Sequence, residues 1–154
     1  MKRVFLLCVS VVLLLSLCAC GEKEAEKEPE PSALAESLLK GNVFSVSLDE
    51  LPASKAASFY ELNASDVVEA LLYHAAGTSK EQIVILKAID EAAAGNMVAS
   101  LKELVAQWIE ADRDYAPQEV PKLEKAVLRQ SGLWVILVVA NDPDTAAKIV
   151  GEYI

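Results

Sequence analysis

The stretch LWVILVVA, from Leu133 to Ala140, is apolar at every position and rich in β-branched side chains. β-branched residues favour strands, and a strand that is apolar on both faces is buried inside its sheet. We therefore predict that Leu133 to Ala140 is a central, buried strand around which the neighbouring elements pack.

The segments on either side of this strand complete a hairpin and add a helix. Ala126 to Gln130 is a second predicted strand, and the dipeptide Ser131-Gly132 between the two is typical of a tight turn. After the central strand, Asp142 is a good helix cap and Pro143 suits the first helical position. The apolar side of this last predicted helix consists of Ala146, Ile149, Val150 and Tyr153.

Two segments further upstream form a second candidate hairpin. Gln82 to Ala88 is rich in isoleucine and valine and is predicted to be a strand. Asp66 to Ala76 is ambiguous: Asp66 followed by Glu69 indicates a helix start, whereas alternating apolar and polar positions indicate a half-buried strand. If it is a strand, Gly77-Thr78-Ser79 is the hairpin loop. The residues alone leave both interpretations open.

The clearest predicted helix runs from Glu91 to Asp112, with Asp90 as its cap. Its apolar positions recur at helical spacing, which is typical of a helix packed on a core. They are Met97, Leu101, Leu104, Val105 and Trp108. We interpret Trp108 as a core anchor and not as a platform for a sugar ring.

Shorter elements fill the rest of the region after residue 31. Ser32 to Leu39 is a predicted helix capped by Ser32 and followed by Gly41, and Pro52 opens another that runs to about Tyr60. Val43 to Leu51 has a mixed pattern, from which Leu48 and Leu51 are expected to reach the core. Tyr115 to Pro121 contains two prolines and is predicted to be a loop.

The first residues have the parts of a bacterial lipoprotein signal peptide. Lys2 and Arg3 precede the apolar run from Val4 to Leu17, which is shorter than the about 20 residues that a membrane-spanning helix needs. The run ends in Leu17-Cys18-Ala19-Cys20, which resembles the lipobox, an aliphatic residue and two small residues before a cysteine. We predict cleavage between Ala19 and Cys20, with Cys20 as the lipidation site. Cys18 departs mildly from the pattern.

The lipobox resemblance implies a diacylglyceryl thioether on Cys20, hence at least two acyl chains such as palmitate. Two chains hold a protein stably at a membrane, whereas one binds marginally. The predicted location is therefore the extracytoplasmic face of the cell membrane, with the lipid on Cys20 as the membrane contact. The alternatives are a spanning helix at residues 4–17 and an ordinary secreted protein cut near Ala19.

The residues after Cys20 divide into a tether and a domain. Glu22 to Pro31 reads EKEAEKEPEP, which offers almost nothing apolar to bury and is predicted to stay solvated. We predict three parts: residues 1–19 as signal peptide, 20–31 as the lipidated cysteine with an acidic Glu/Lys/Pro tether, and 32–154 as a single α+β domain.

Charge and cysteine placement exclude several classes of function. The formal net charge is −9, and losing Lys2 and Arg3 with the signal peptide makes the chain more acidic still. Nucleic-acid binding needs cations for phosphate contacts, so no nucleic-acid partner is expected. All three cysteines lie at or before Cys20, so the domain has neither a disulfide nor a cysteine metal site.

The sequence contains no recognisable catalytic or metal motif. His74 is the only histidine, which excludes a metal site built on two histidines. Ser79 is near in sequence, but no serine lies in a GxSxG elbow. Gly77, Gly95 and Gly132 stand alone, so no glycine-rich phosphate loop is present. We assign no catalytic residue, metal or cofactor.

Two acidic groups invite a metal interpretation and are better explained otherwise. Asn141-Asp142-Pro143-Asp144 lacks the alternating ligands and the final glutamate of a calcium loop, and helix capping accounts for it. Asp112 and Asp114 flank Arg113 at a helix end, where we predict a solvated charge cluster.

The order of the motifs is similar to that of a known family. The motifs are Phe59-Tyr60-Glu61-Leu62, Leu71 to Ala75, Glu81 to Ala88 followed by a long helix, Pro121 to Ala126, and Gly132-Leu133-Trp134-Val135 before an Asn/Asp turn. This order resembles a family of small bacterial lipoproteins catalogued as a domain of unknown function, DUF4358. The resemblance covers Leu34 to Ile154, and it implies no catalytic residue.

The resemblance also implies a strand before Gly77, which favours the hairpin interpretation of Asp66 to Ala76. The predicted fold class is then α+β: two β-hairpins, each followed by a helix, in an antiparallel sheet covered by helices. For function we predict a noncatalytic binding or assembly module of the cell envelope with an envelope protein as partner. The alternative is a small envelope hydrolase that uses carboxylates.

Overall fold

The computed structural model describes residues 29–154, so Ala19, Cys20 and the predicted signal peptide lie outside the described residues. The described part is α+β. Its strands are β1 (Leu48–Leu51), β2 (Val67–Ala75), β3 (Gln82–Ala88), β4 (Val127–Ser131) and β5 (Trp134–Val139). Its α-helices are α1 (Pro31–Lys40), α2 (Ala56–Phe59), α3 (Glu91–Tyr115), α4 (Val120–Glu124) and α5 (Pro143–Tyr153).

The five strands form one antiparallel sheet in the order β1-β2-β3-β5-β4. The hairpin β2–β3 precedes α3, and the hairpin β4–β5 precedes α5, as predicted. Asp66 to Ala76 resolves as a strand, since Val67–Ala75 pairs along its length with β3. β1 is an addition to the prediction: four residues of the mixed segment pair with the far edge of β2.

The central stretch is buried at all six positions of β5, as its composition predicts. Its hairpin register joins Ser131 to Trp134, so Gly132 and Leu133 are the two loop residues. Gly132 has φ of 52°, and a two-residue hairpin with a positive φ at its first loop position favours glycine there. The predicted turn is therefore present, shifted by one residue.

Alternation along the strands sends apolar side chains to both faces of the sheet, and helices cover each face. On one face α2, α3 and α4 pack on a core that includes Leu72, Leu86 and Leu137. On the other face α1 and α5 pack on Ile83, Ile85 and their neighbours. Trp134, which is 5% exposed, belongs to this second core.

Two of the predicted helix caps are confirmed and one is wrong. Asp90 accepts a hydrogen bond from Ala93 N at 2.7 Å, and Asp142 accepts one from Thr145 N at 3.1 Å. Ser32 is not a cap, because α1 begins one residue earlier at Pro31, after Glu30. Proline at the first position has a φ already suited to the helix, so the helix starts there without a side-chain cap.

The predicted loop from Tyr115 to Pro121 is partly wrong. α3 continues through Tyr115, and α4 begins at Val120 with Pro121 in its first turn. A proline in the first helical turn sacrifices no hydrogen bond, so prolines near the end of a loop do not exclude a helix start. Within residues 29–154, no helix combines the length and the apolar composition that crossing a membrane requires.

Candidate functional site

Five ionisable side chains meet at one end of the sheet and form what we call the charged cluster: Lys80, Glu81, Asp112, Glu119 and Lys122. Glu81, Asp112 and Glu119 are buried, with 0%, 3% and 5% of their surface exposed. Lys80 and Glu81 lie in the turn between β2 and β3, Asp112 lies near the end of α3, and Glu119 and Lys122 flank the start of α4. The fold thus brings together charges from three separate segments.

Glu81 is the centre of the charged cluster. Its carboxylate accepts hydrogen bonds from Ser45 N at 2.7 Å, from the Ser45 hydroxyl, and from Lys122 Nζ at 2.7 Å. Burial alone would raise the pKa of Glu81, but the hydrogen bonds from Lys122 and Ser45 and the charge of Lys122 hold that pKa below its ordinary value. Glu81 is therefore a stably ionised carboxylate.

Lys122 connects Glu81 to a second carboxylate. Its ammonium group donates to Glu119 Oε1 at 3.1 Å as well as to Glu81. Burial would lower the pKa of Lys122, but the hydrogen bonds to Glu81 and Glu119 outweigh burial and raise it. Glu119 Oε2 also accepts hydrogen bonds from Lys80 N at 2.8 Å and from Ser79 Oγ at 3.4 Å. Two buried carboxylates thus share one partly buried cation.

Asp112 contradicts the prediction of a solvated cluster at residues 112–114. Its carboxylate is buried, and Oδ2 lies 3.3 Å from Lys80 Nζ as an ion pair, although this oxygen accepts no hydrogen bond. Arg113 instead points outward and pairs with Glu110 at 3.1 Å. The helical rotation of about 100° per residue separates the neighbours, so Asp112 faces the interior while Arg113 and Asp114 face solvent.

The charged cluster is suited to holding separate segments of the chain together. A general acid or base works best when its pKa lies near the working pH, whereas the pKa of Glu81 is lowered. The cluster does join Ser45, the β2–β3 turn, the end of α3 and the start of α4 across long sequence distances. Its charged groups form ion pairs and hydrogen bonds with one another.

Gln82 and Tyr60 extend this polar network toward the core. Tyr60 donates its hydroxyl to Gln82 Oε1 at 2.8 Å, and Gln82 Nε2 donates to Lys80 O at 3.1 Å. Burial raises the pKa of Tyr60 far above its ordinary value, so the phenol stays protonated. Trp108 lies edge-to-face against Tyr60 at 6.4 Å, partly buried on the core as predicted for an anchor.

His74 and Ser79 are not brought together. His74 is half-buried on β2, with Nδ1 3.4 Å from Ala75 O and its ring edge-to-face with Phe59. Ser79 instead donates to Glu119 and accepts a hydrogen bond from Glu81 N at 3.3 Å. In the part of the chain that the structure describes, no group of three histidine, cysteine or acidic side chains is arranged to hold a metal ion.

A second feature is an apolar groove of about 450 Å³ between α3, α4 and the β4 end of the sheet, which we call the α3–β4 groove. Apolar side chains make up most of its lining, and Lys102 and Glu124 are its two charged residues. The apolar lining residues are Val105, Ala106, Ile109, Leu123, Ala126, Leu128 and Leu137.

Sequence reasoning missed both features for different reasons. The cluster left weak signals: Glu119 and Lys122 are three residues apart, which suits a helical ion pair, and Glu81 directly precedes an apolar strand. The groove left a clearer one, since Lys102, Val105, Ala106 and Ile109 recur at spacings of three and four along α3. That spacing indicates one helix face, but it does not indicate how much of the face is covered.

Comparison with known proteins places the chain in one family. No curated protein and no solved structure matches it. A family model described as a domain of unknown function, DUF4358, matches residues 44–140, which is well over half of the chain and extends from the segment before β1 to the end of β5. The match is narrower than the resemblance from Leu34 to Ile154, and it leaves α1 and α5 outside. The chain belongs to the DUF4358 family.

Proposed function

We propose that the protein is a lipoprotein held at the extracytoplasmic face of the cell membrane by diacylglycerol on the thiol of Cys20. The support is the sequence of the first residues: two cations, a short apolar run, and Leu17-Cys18-Ala19-Cys20. Two acyl chains suffice for stable anchoring without a basic surface patch. The acidic tether after Cys20 then separates the domain from the lipid headgroups.

The proposed activity of the domain is noncatalytic binding of an envelope partner. The observation that carries this proposal is the contrast between the charged cluster and the α3–β4 groove. The charged groups of the cluster pair with one another, whereas the groove has an open apolar surface. Open concave apolar surfaces with a few polar groups are typical of binding sites.

The anchor is tested by Cys20→Ala in cells fed a clickable fatty acid. The wild-type protein should carry the label and sediment with membranes, whereas Cys20→Ala should carry none. Cys18→Ala is the matched control and should be labelled like the wild type. Labelling of Cys20→Ala would overturn the assignment of Cys20.

The groove is tested by a matched pair of exposed alanines on α3. Ala106 lines the groove, whereas Ala99 is exposed outside it. Ala106→Glu should abolish recovery of the partner in a pull-down from membranes, and Ala99→Glu should leave recovery unchanged. Equal recovery with both variants would contradict the groove as the binding surface.

The carboxylate hydrolase is the outcome that would replace this proposal. Peptidoglycan, ester and glycoside substrates should show no turnover with the purified protein. Turnover that a single Asp or Glu substitution removes without unfolding the protein would contradict noncatalytic binding. Glu81→Gln and Glu119→Gln are the first variants to compare in that case, because these two carboxylates lie closest to a shared cation.

A further inference from the structure

The outer edge of the sheet at β4 presents main-chain groups that point away from β5. Ala88 N donates to Leu133 O at 2.8 Å, so the main-chain N–H and C=O groups of Leu133 point toward β3 and those of Trp134 point toward β4. Main-chain groups alternate in direction along an antiparallel strand. The register therefore places Arg129 in hydrogen-bonded contact with Ile136, and it directs the N–H and C=O groups of Leu128 and Gln130 outward.

This outer edge is continuous with the α3–β4 groove. Leu128 points its main-chain groups outward and lines the groove with its side chain. Within residues 29–154, no other strand pairs with the outer edge of β4. A chain laid along β4 would thus meet hydrogen-bonding groups and an apolar groove at the same time.

The two edges of the sheet differ in charge. β1, at the opposite edge, carries the exposed carboxylates of Asp49 and Glu50, and charged residues on an edge strand oppose pairing with another chain. On the β4 side, exposed Arg129 shares the sheet face of its pair residue Ile136, opposite to the face of Leu128 and the groove, whereas Lys102 and Glu124 both lie in the groove lining. Arg129 is thus the one charged residue on β4 itself, a cation on the sheet face away from the groove.

We propose that an extended, acidic segment of a partner protein adds to β4 as an antiparallel sixth strand. This inference rests on the proposed function and specifies its surface and partner. Paired residues of antiparallel strands share a face, so partner residues opposite Leu128 and Gln130 direct apolar side chains toward the groove face. Acidic residues between them project from the opposite face of the sheet, on the side of Arg129, and main-chain hydrogen bonds supply affinity in this mode of recognition.

Arg129 covers the edge before the partner binds. Its Nη1 donates to Leu128 O at 3.0 Å, so the incoming strand replaces a side-chain donor with a main-chain N–H. The released guanidinium is then available to an acidic side chain of the partner. The same arginine blocks unselective pairing and favours an acidic strand.

The test uses full-length protein purified from membranes in detergent and a synthetic peptide, acetyl-Glu-Val-Glu-Val-Glu-Val-Glu-amide. Binding should shift the amide signals of Leu128 and Gln130 and slow their hydrogen exchange, because these N–H groups point outward. The amide of Arg129, which bonds to β5, is the internal control. The same peptide with lysine in place of glutamate should bind more weakly at low salt, and the difference should shrink at high salt.

Gln130→Pro and Gln130→Ala separate main-chain pairing from side-chain contact. Proline removes an outward N–H, which an edge strand tolerates, whereas alanine keeps it. Gln130→Pro should bind the peptide about tenfold more weakly than Gln130→Ala, the loss expected for one or two hydrogen bonds. Circular dichroism of both variants reports whether the fold is retained.

N-methylated peptides give the same information without changing the protein. Methyl groups on the valine nitrogens should abolish binding, because those N–H groups face β4, whereas methyl groups on the glutamate nitrogens should leave binding intact. Equal binding of both methylated peptides would overturn strand addition, as would a failure of the unmethylated peptide to bind. The membrane pull-down with Ala106→Glu is independent of either outcome, so the proposed function can survive the loss of this inference.

Discussion

The charged cluster and the α3–β4 groove lie at different parts of the same helical layer and use their side chains in opposite ways. In the cluster, Glu81 is fully buried and its carboxylate accepts hydrogen bonds from Ser45 and Lys122. In the groove, Leu128 and Ile109 are only partly covered and border open space. The Glu81 carboxylate is thus buried and hydrogen-bonded, whereas apolar side chains of the groove remain partly uncovered.

We therefore expect the charged cluster to contribute to the stability of the fold and the α3–β4 groove to contribute to binding. A buried charge that loses its partner is costly, so the cluster should be intolerant of change even if it contacts no ligand. A partly exposed apolar side chain contributes less to folding, so the groove can change its surface with little loss of stability. Substitutions in the cluster should therefore change the free energy of unfolding more than substitutions in the groove.

Lys122→Met should destabilise the fold by about 3–5 kcal/mol, because it leaves the buried Glu81 and Glu119 carboxylates without their shared cation. Urea unfolding measures the change. Lys102→Met, at the edge of the groove, is the matched control and should cost less than about 0.5 kcal/mol. Similar losses in the two variants would erase the distinction between cluster and groove.

The stability of the protein should fall in acid through Glu81. Because its pKa is lowered in the folded state, Glu81 contributes stability above the ordinary value of 4.5, and this contribution is lost as pH falls through the folded pKa. The raised pKa of Lys122 has the opposite sign: its contribution is complete below 10.5 and is lost as pH rises through the folded pKa.

The free energy of unfolding should therefore fall less steeply from neutral pH into acid in Glu81→Gln than in the wild type. Part of the dependence on pH should remain, because two other carboxylates also have lowered pKa values. The pKa of Asp142 is lowered chiefly by the hydrogen bond from Thr145 N, and the pKa of Glu36 chiefly by the hydrogen bond from Lys40. An unchanged acid profile in Glu81→Gln would contradict the placement of a stably ionised carboxylate in the cluster.

Ile109→Ala should cost about 1 kcal/mol, less than the roughly 2–5 kcal/mol of a fully buried isoleucine, since part of this side chain already faces the groove. The same variant should weaken peptide binding. Leu101→Ala, on the buried face of the same helix, is the comparison and should cost several-fold more stability. A cost equal to that of Leu101→Ala would mean that the groove is part of the closed core.

Arg129→Glu should change the free energy of unfolding by less than about 0.5 kcal/mol, because the side chain is exposed. It should nevertheless weaken binding of the glutamate–valine peptide at low salt, since it reverses the charge on the sheet face toward which the glutamates project. Lys55→Glu, in the segment between β1 and α2 near the opposite edge of the sheet, should leave binding unchanged. Equal effects of the two substitutions would indicate attraction by net charge alone.

Local patterns in the sequence predicted the elements well. The β-branched content of residues 82–88 and 133–140, the caps Asp90 and Asp142, and the glycine turn at Gly132 all concern neighbours along the chain. β1 was missed because four residues with two exposed acids form a strand only through their pairing with β2.

The candidate sites were less predictable, because they depend on contacts between distant residues. The solvated environment predicted for Asp112 is wrong, and no sequence pattern indicated that Glu81 and Glu119 are buried. The three residues look like ordinary surface acids in the sequence. Glu81 and Asp112 pair with lysines that the fold brings from other segments, whereas Glu119 pairs with Lys122 three residues along the same segment.

The sequence by itself determined the family through the order of its motifs, and the β4–β5 hairpin through periodicity and turn residues within short windows. The β2–β3 hairpin, and with it the α+β arrangement, followed from the family resemblance, because the residues from Asp66 to Ala76 fit a helix as well as a strand. The lipoprotein signal at Cys20 is likewise a purely local pattern and stays a prediction. Only the tertiary structure decided which charges are buried and which apolar surface is open. Glu81 meets Ser45 and Lys122 from 36 and 41 residues away, and no local pattern carries information about contacts at that separation.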